Sequence, residues 1–319
     1  LAKLNKQWGV SYGAGASGWL NQIIAKDSVV FIHQNEFLSS KVDSNKVTSK
    51  IFSPIFSAKE LNYSNQIAQT PKNCEFFVCS LVNSIDQITL SKDEVFAILK
   101  QAKVCGATVI LDGAQAFGNV DLTFLGDVFD QFDDVPICVT GSMIKHLASG
   151  NGGFLFSNQL FREKFHSIGG WTEQVMGLKK NELVSEKNLI YGDQQTPIAA
   201  SYLRFLEHFD ALHLEYVKSL HQIFINKLGE KYYPVDFHRR NHTGVGSKTL
   251  VIHMKSEQYV QKLIQFLTIK GFTGLDYKNV NNQCFLRIGF SEKNTVNSVK
   301  CLADSISKFN DLFSDIELE

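Results

Sequence analysis

The sequence lacks several features that would place it in a special class of protein. It contains no run of about 18 apolar residues, so we expect no transmembrane helix. Basic and acidic residues number 32 each, and a net charge of zero argues against nucleic acid or an anionic membrane as the main partner. Neither an internal repeat nor a low-complexity tract occurs. A chain of 319 residues with 44% hydrophobic residues therefore indicates a globular protein with one large domain and a smaller one.

The cysteines also lack a metal-binding or redox pattern. The six are Cys74, Cys79, Cys105, Cys138, Cys284 and Cys301. None belongs to a CxxC motif, and most lie in apolar segments that resemble strands or helices. We therefore expect free, buried thiols in a reducing compartment rather than a zinc site. Because no signal-peptide pattern is found either, we expect a cytoplasmic protein.

The most informative stretch joins two apolar runs to a carboxylate and a lysine. Residues 109–111 predict a buried strand that ends in Asp112, and residues 136–140 predict a second strand, with Lys145 close behind it. In an open parallel sheet, ligands bind outside the carboxyl ends of the strands, so both side chains are expected at one crevice. Pyridoxal 5'-phosphate (PLP) requires such a pair. The amine carries the cofactor as a Schiff base, and the acid partners its pyridinium nitrogen.

The order of these residues resembles a known family. Asp112-Gly-Ala-Gln115 followed by Ser142-x-x-Lys145 is similar to the fold-type I PLP enzymes, in particular the class V aminotransferase superfamily of cysteine desulfurases and kynureninases. The resemblance covers most of the chain. It implies a PLP-dependent enzyme of the α/β class, a homodimer with sites at its interface, in which Lys145 and Asp112 are catalytic. It also implies that Gln115 binds the phenolic oxygen of PLP and that Ser142 binds its phosphate.

A small-residue turn near the start provides a phosphate site. Residues 8–12 predict a strand, Gly13 to Gly18 a turn, and residues 19–25 a helix, an arrangement whose free backbone N–H groups favour an anion. By resemblance, Ala16 and Ser17 hold the PLP phosphate; a plain tight turn is the alternative. A nucleotide-binding site with Glu36 as its acid is a further alternative, but it leaves the lysine motif unexplained.

Three more side chains are assigned by resemblance. Phe37 matches an aromatic position of kynureninase-like enzymes whose ring stacks on PLP, and its alternative is a core phenylalanine. Trp171, in Ile-Gly-Gly-Trp, matches an aromatic residue that faces the substrate. Arg287, on a predicted strand at 283–288, matches the arginine that binds the substrate α-carboxylate, and its alternative is a surface arginine. The only cysteine between Lys145 and Arg287 is Cys284, which argues against desulfurase activity.

Two departures from the family pattern leave a second function open. Ile144 stands where the family has a histidine or tyrosine that contacts the phosphate, and Asp193 stands where it has a threonine that contacts the neighbour's phosphate. Asp112 has a local alternative as a cap of the turn at Ala114, and Lys145 as a surface lysine. The chain is therefore either a PLP enzyme of unspecified transamination or lyase chemistry, or a PLP-fold protein with reduced catalysis that serves as a binding or partner module.

The predicted organisation has two parts. Residues 1–198 form a large PLP-binding domain with a mostly parallel sheet, and residues 199–319 form connecting helices and a small C-terminal α/β domain. Because the family has a longer segment before the first glycine-rich turn, we expect a missing N-terminal segment that completes the small domain. Residues 41–71 predict a helix or loop, and the small domain has predicted strands at 248–254, 272–276 and 283–288.

Overall fold

The computed structural model describes residues 8–13, 16, 19–20, 23–24, 28–33, 48–52, 72–84, 87, 89–142, 153–165, 211–229, 248–280, 283–291 and 293–313. Their contacts divide between two compact units. The first holds strands β1 (Gly9–Gly13), β2 (Val29–His33), β3 (Thr48–Phe52), β4 (Phe76–Ser80), β5 (Thr108–Asp112), β6 (Ile137–Ser142) and β7 (Gly153–Ser157), with helices α1 (Lys92–Cys105), α2 (Phe124–Phe129) and α3 (Gln159–Lys164). The second holds α4 (Ala211–Leu228), β8 (Thr249–Met254), α5 (Glu257–Ile269), β9 (Leu275–Val280), β10 (Gln283–Gly289) and α6 (Val296–Phe313). The domain boundary predicted between 198 and 199 lies outside the described residues and stays a prediction.

The first unit is built on a seven-stranded sheet in the order β1-β7-β6-β5-β4-β2-β3. Strands β6, β5, β4, β2 and β3 run parallel, whereas β7 is antiparallel to both of its neighbours. Every residue of β4, β5 and β6 is buried, as expected of parallel strands that are covered on both faces. The predicted large and mostly parallel sheet is thus confirmed.

Helix α1 shows how closely local sequence sets the ends of an element here. Ser91 accepts a hydrogen bond from the Glu94 N–H at its N-terminus, and the Glu94 carboxylate accepts the Ser91 N–H in return. Gly106 ends the helix in the left-handed conformation, at φ 64°. The apolar face between them is buried and comprises Val95, Ile98, Leu99 and Ala102.

The two faces of the large sheet carry different clusters. One face packs residues of β2, β4, β5, β6 and β7 against Trp19, Leu20, Ile23 and Phe161; the strand residues are Val30, Ile32, Phe76, Val78, Ile110, Cys138 and Leu155. Side chains alternate along a strand, so the residues two beyond Ile110 and Cys138 belong to this same face. These are Asp112, the last residue of β5, and Thr140, two residues before the end of β6.

The prediction of a helix or loop over residues 41–71 is wrong in part. Strand β3 lies within it and pairs in parallel with β2 at the edge of the sheet. Its sequence, Thr-Ser-Lys-Ile-Phe, carries its apolar residues at one end, without the alternation that marks a half-buried strand. The pairing with β2, a contact distant in sequence, selects the strand.

The second unit has a three-stranded antiparallel sheet in the order β8-β10-β9. Helices α4, α5 and α6 contribute with the strands to one core, in which Phe224, Leu263, Leu286 and Phe309 are buried. The predicted strand at 272–276 is misplaced, since β9 begins only at Leu275. Glycines with φ of 87° and 78° at positions 271 and 274 turn the chain just before it.

The described residues include no helix long and apolar enough to cross a membrane. Within the same residues, no group of three His, Cys, Asp or Glu side chains is arranged to hold a metal ion. All six cysteines are free, and four of them are buried, with Cys105 half-buried and Cys301 exposed. Burial raises the pKa of the Cys74 thiol to about 11 and that of the Cys138 thiol well above its ordinary value. The expectation of free thiols is therefore confirmed.

Candidate active site

Three neighbouring strands end side by side at the carboxyl edge of the large sheet. Ser80 of β4 is paired with Asp112 of β5, which is in turn paired with Thr140 of β6. Backbone hydrogen bonds continue this alignment past the strand ends: the Leu81 N–H donates to the Asp112 carbonyl at 2.9 Å, and the Gly113 N–H donates to the Thr140 carbonyl at 2.8 Å. These bonds fix the backbone at the edge of the sheet where parallel sheets bind ligands.

Asp112 places a buried carboxylate at this edge of the sheet. The residue is 6% exposed, and its Oδ1 atom accepts hydrogen bonds from the Ala114 N–H at 2.8 Å and from the Thr140 hydroxyl at 3.4 Å. Burial of an unpaired carboxylate is costly, and these bonds both stabilise the group and fix its orientation. The bond to Ala114 is the turn cap that the alternative interpretation predicted. The capping role and the position at the sheet edge are thus both present in one side chain.

Thr140 and Ser142 are two residues apart in β6, so both lie on the face of the sheet that bears Asp112. The predicted strand ended at Thr140, but β6 continues to Ser142, which is paired with Gly153 of β7. Thr140 is fully buried and Ser142 is 9% exposed. The structure thus places a second hydroxyl two residues beyond the one that contacts Asp112.

Ala16 is helical, so the turn predicted over residues 13–18 is wrong at this position. Ala16, Trp19, Leu20 and Ile23 are helical and buried, and the last three pack in one cluster with Ile110, two residues before Asp112.

Gln115 lies in the turn that follows β5. The Ala116 N–H donates to the Gly113 carbonyl at 2.8 Å, and the Asn119 side chain donates to the Gln115 carbonyl at 2.7 Å. These bonds fix the backbone of the turn that carries Gln115, a half-buried residue three positions after Asp112.

Sequence reasoning missed a feature of the opposite face, where aromatic rings pack on two glycines behind the strand ends. A Cβ atom at Gly141 would overlap the ring of Phe154, and one at Gly113 would overlap the ring of Phe117. The two rings meet edge to face with centroids 4.8 Å apart. Glycine directly follows both Asp112 and Thr140, and glycine within or next to a strand often marks a close approach of another group. In a chain with 25 phenylalanines, these two glycines were the sequence signal for a packed aromatic ring.

Arg287 lies in the second unit, on the face of β10 opposite to the residues of the helical core. Its guanidinium forms an ion pair with Asp276 of β9 at 3.4 Å, and its side chain is 15% exposed. Burial lowers the pKa of Arg287, and Asp276 opposes that shift. Its Nε atom is buried without a hydrogen-bond partner among the described residues. Its role toward a substrate and the alternative of a surface arginine both stay predictions.

Cys284 is a core residue of the second unit. It is 3% exposed, belongs to the cluster between the sheet and its helices, and has a pKa that burial raises above the ordinary value. A desulfurase nucleophile needs an accessible thiolate. The environment of Cys284 therefore agrees with the argument against desulfurase activity.

The remaining predicted site residues lie outside the described part of the chain. They are Ser17, Phe37, Lys145 and Trp171, together with the two departures from the family pattern, Ile144 and Asp193. Their roles stay predictions.

Solved structures share this architecture over nearly the whole chain. A serine palmitoyltransferase variant from S. paucimobilis with a bound PLP–myriocin aldimine matches with a TM-score of 0.65 at 13% identity, over 98% of this chain and 74% of the other. The serine palmitoyltransferase of Sphingomonas wittichii matches with a TM-score of 0.64 at 14% identity, over 98% and 74%. A NifS-like protein from Rickettsia africae matches with a TM-score of 0.67 at 16% identity, over 96% and 82%.

This chain has the fold-type I architecture. The expectation drawn from the order of Asp112, Gln115, Ser142 and Lys145 is thus confirmed at the level of the fold. Identities of 13–16% establish the fold alone. No protein-family model matches the chain, and no curated protein matches its sequence.

Proposed function

We propose that this protein is a PLP-dependent enzyme acting on an amino acid or an amine. The observation that carries the proposal is the buried Asp112 carboxylate, oriented at the carboxyl edge of the central strands of this fold. A carboxylate accepts several hydrogen bonds, and the protonated ring nitrogen of PLP is a suitable further donor to one at this edge. The residues present therefore fit the cofactor.

The other cofactor-binding residues follow from the same edge. Ser142 ends β6 on the Asp112 face, and its hydroxyl is assigned to the phosphate. Lys145 follows three residues later in the sequence, and the resemblance assigns its amine to the Schiff base. Ala16 and Ser17 complete the phosphate site at a helix N-terminus. Phe37 is assigned to the face of the cofactor ring and Gln115 to its phenolic oxygen.

Each residue has a chemical task in this proposal. PLP, when bound, supplies an electron sink for the bond that breaks at the substrate α-carbon. Asp112 holds a proton on the ring nitrogen, and the Lys145 amine removes and returns the proton at the α-carbon. Arg287 binds the α-carboxylate through parallel N–H bonds, and Trp171 contacts the substrate. The reaction is assigned to class V-like transamination or lyase chemistry. Sulfur transfer is not proposed, because Cys284 is buried in the core.

Assembly and location are part of the proposal. A homodimer with sites at its interface follows from the resemblance of the residues around Asp193 to a segment that crosses between subunits. A cytoplasmic location is supported by six free cysteines, and small-molecule substrates rather than nucleic acid are supported by the zero net charge.

Two residues favour a second candidate, a PLP-fold protein that acts as a binding or partner module. Ile144 has no donor for a phosphate, and the carboxylate of Asp193 would repel one. If both positions border the cofactor, phosphate affinity is lost and the fold serves another purpose.

The absorbance spectrum of the purified protein separates the two candidates. We expect a band near the visible edge in the wild-type protein and in Lys100→Ala, which removes an exposed lysine of α1. The band is expected to be absent in Lys145→Ala. A wild-type protein without this band, even after addition of PLP, would overturn the enzyme proposal in favour of the binding module.

A further inference from the structure

Thr140 is a polar residue at a position where an apolar one is expected. The three residues before it in β6 are Ile137, Cys138 and Val139, and all four are 0% exposed. A buried hydroxyl costs free energy unless it forms a hydrogen bond, and valine has nearly the same shape without that cost. The hydroxyl of Thr140 is therefore retained for the contact that it makes.

That contact is with Asp112. The Thr140 hydroxyl donates to Oδ1 of Asp112 at 3.4 Å, across the register pair that joins the ends of β5 and β6. The Ala114 N–H donates to the same oxygen at 2.8 Å from the following turn. Two donors, one from the turn and one from the neighbouring strand, restrict the rotation of the carboxylate more than either does alone.

The surroundings hold Thr140 itself in place. Its carbonyl accepts the Gly113 N–H at 2.8 Å, so β6 is bonded both to Asp112 and to the residue after it. On the opposite face, the rings of Phe154 and Phe117 fill the space beside Gly141 and Gly113. The branched side chain of threonine adds a stiff χ1 torsion. A shift of the hydroxyl away from Asp112 would require a shift of the strand end.

We propose that Thr140 is a positioning residue of the cofactor site, whose hydroxyl fixes the Asp112 carboxylate in the orientation that meets the ring nitrogen of PLP. This inference rests on the proposed function and adds to it a residue to which the family resemblance assigned no role.

The test compares Thr140→Val with Thr108→Val. Thr108 is also 0% exposed and in the same sheet, but its hydroxyl lies at the other end of β5 and accepts a hydrogen bond from Lys164 Nζ at 2.9 Å. We expect Thr140→Val to weaken PLP binding about tenfold, or about 1.4 kcal/mol, and Thr108→Val to leave it unchanged. Thr140→Ser, which keeps the hydroxyl, is expected to bind within about twofold of wild type.

A spectroscopic readout separates positioning from a general loss of structure. At saturating PLP, the pH dependence of the Thr140→Val absorption spectrum is expected to move toward that of Asp112→Asn, with Thr108→Val matching wild type. The unfolding midpoint of each variant is measured in parallel. If Thr140→Val does not fold, the pair Thr140→Ser and Thr140→Ala isolates the hydroxyl instead.

The outcomes distinguish this inference from the proposed function. Equal PLP affinities and spectra for Thr140→Val and Thr108→Val, with normal binding by wild type, would overturn the inference alone. A wild-type protein that binds no PLP would overturn both. In a double-mutant cycle with Asp112→Ala, which removes the acceptor, additive losses of PLP affinity would also overturn the inference, because residues that act together are not additive.

Discussion

Asn158 carries a larger share of the first unit's stability than a single polar residue usually does. It lies between β7 and α3 and is 6% exposed. Its Oδ1 atom accepts the Ile137 N–H at 3.1 Å and the Phe161 N–H at 3.0 Å, and its Nδ2 donates to the Val135 carbonyl at 2.7 Å. One side chain thus caps α3 and fixes the start of β6, the strand that ends at the candidate site.

The expected cost of Asn158→Ala follows from these three bonds. Each buried hydrogen bond contributes about 1 kcal/mol net, and removal of the side chain leaves three backbone groups without their partner. We therefore expect the free energy of unfolding to fall by about 3 kcal/mol, a large part of the 5–15 kcal/mol that is typical of a native protein. Asn158→Asp keeps the two bonds to Oδ1, but it buries a charge and turns its second oxygen toward the Val135 carbonyl, so its loss is expected to exceed the roughly 1 kcal/mol of one hydrogen bond.

Urea denaturation followed by tryptophan fluorescence measures this loss. All three tryptophans precede residue 198, within the predicted large domain. Gln131→Ala is the control, because its side chain is exposed and donates one hydrogen bond to the Asp127 carbonyl at 2.8 Å; a change within about 0.5 kcal/mol is expected there. A loss below about 1 kcal/mol for Asn158→Ala, with an unchanged denaturant slope, would refute the reasoning from the three bonds.

Three further predictions concern other parts of the fold. Gly141→Ala is expected to destabilise the protein by about 1–3 kcal/mol in urea denaturation, since its Cβ overlaps an aromatic ring; no change would refute that packing. In a thiol-labelling assay the exposed Cys301 is expected to react first and Cys138 only on unfolding, and early labelling of Cys138 would contradict its burial. The Asn279 amide lowers the pKa of the exposed Glu257 carboxylate, so its stabilising contribution is present above its unfolded value of 4.5 and is lost as the pH falls through the lower folded value. Glu257→Gln is therefore expected to reduce the loss of stability between pH 5 and pH 3, and an unchanged pH profile would contradict this.

Sequence patterns predict this site where the relevant information is local. The apolar run before Asp112 defines a strand, and the rule that ligands bind at the carboxyl ends of parallel strands then brings Asp112 to the end of β6. The caps of α1 are equally local, because Ser91, Glu94 and Gly106 act within one turn of the helix ends. The predicted strand that ends in Asp112 is confirmed for this reason.

The features that sequence patterns missed depend on contacts between distant segments. Thr140 was expected only as the last residue of a predicted strand, and its bond to Asp112 joins residues that are 28 positions apart. The same holds for β3, whose pairing with β2 outweighs a weak local pattern. No local period encodes such pairings, and only the register of the folded sheet shows them.

The antiparallel strand β7 has a consequence for how the chain folds as it is synthesised. Among the described strands, β1 pairs only with β7, in a register that runs from Gly9 opposite Ser157 to Gly13 opposite Gly153. At about 5–20 residues per second, a ribosome needs roughly 7 to 30 s to make the intervening chain. A pairing of such long sequence separation costs more loop-closure entropy than the pairings among β2, β4, β5 and β6, so we expect β1 and β7 to pair late in folding.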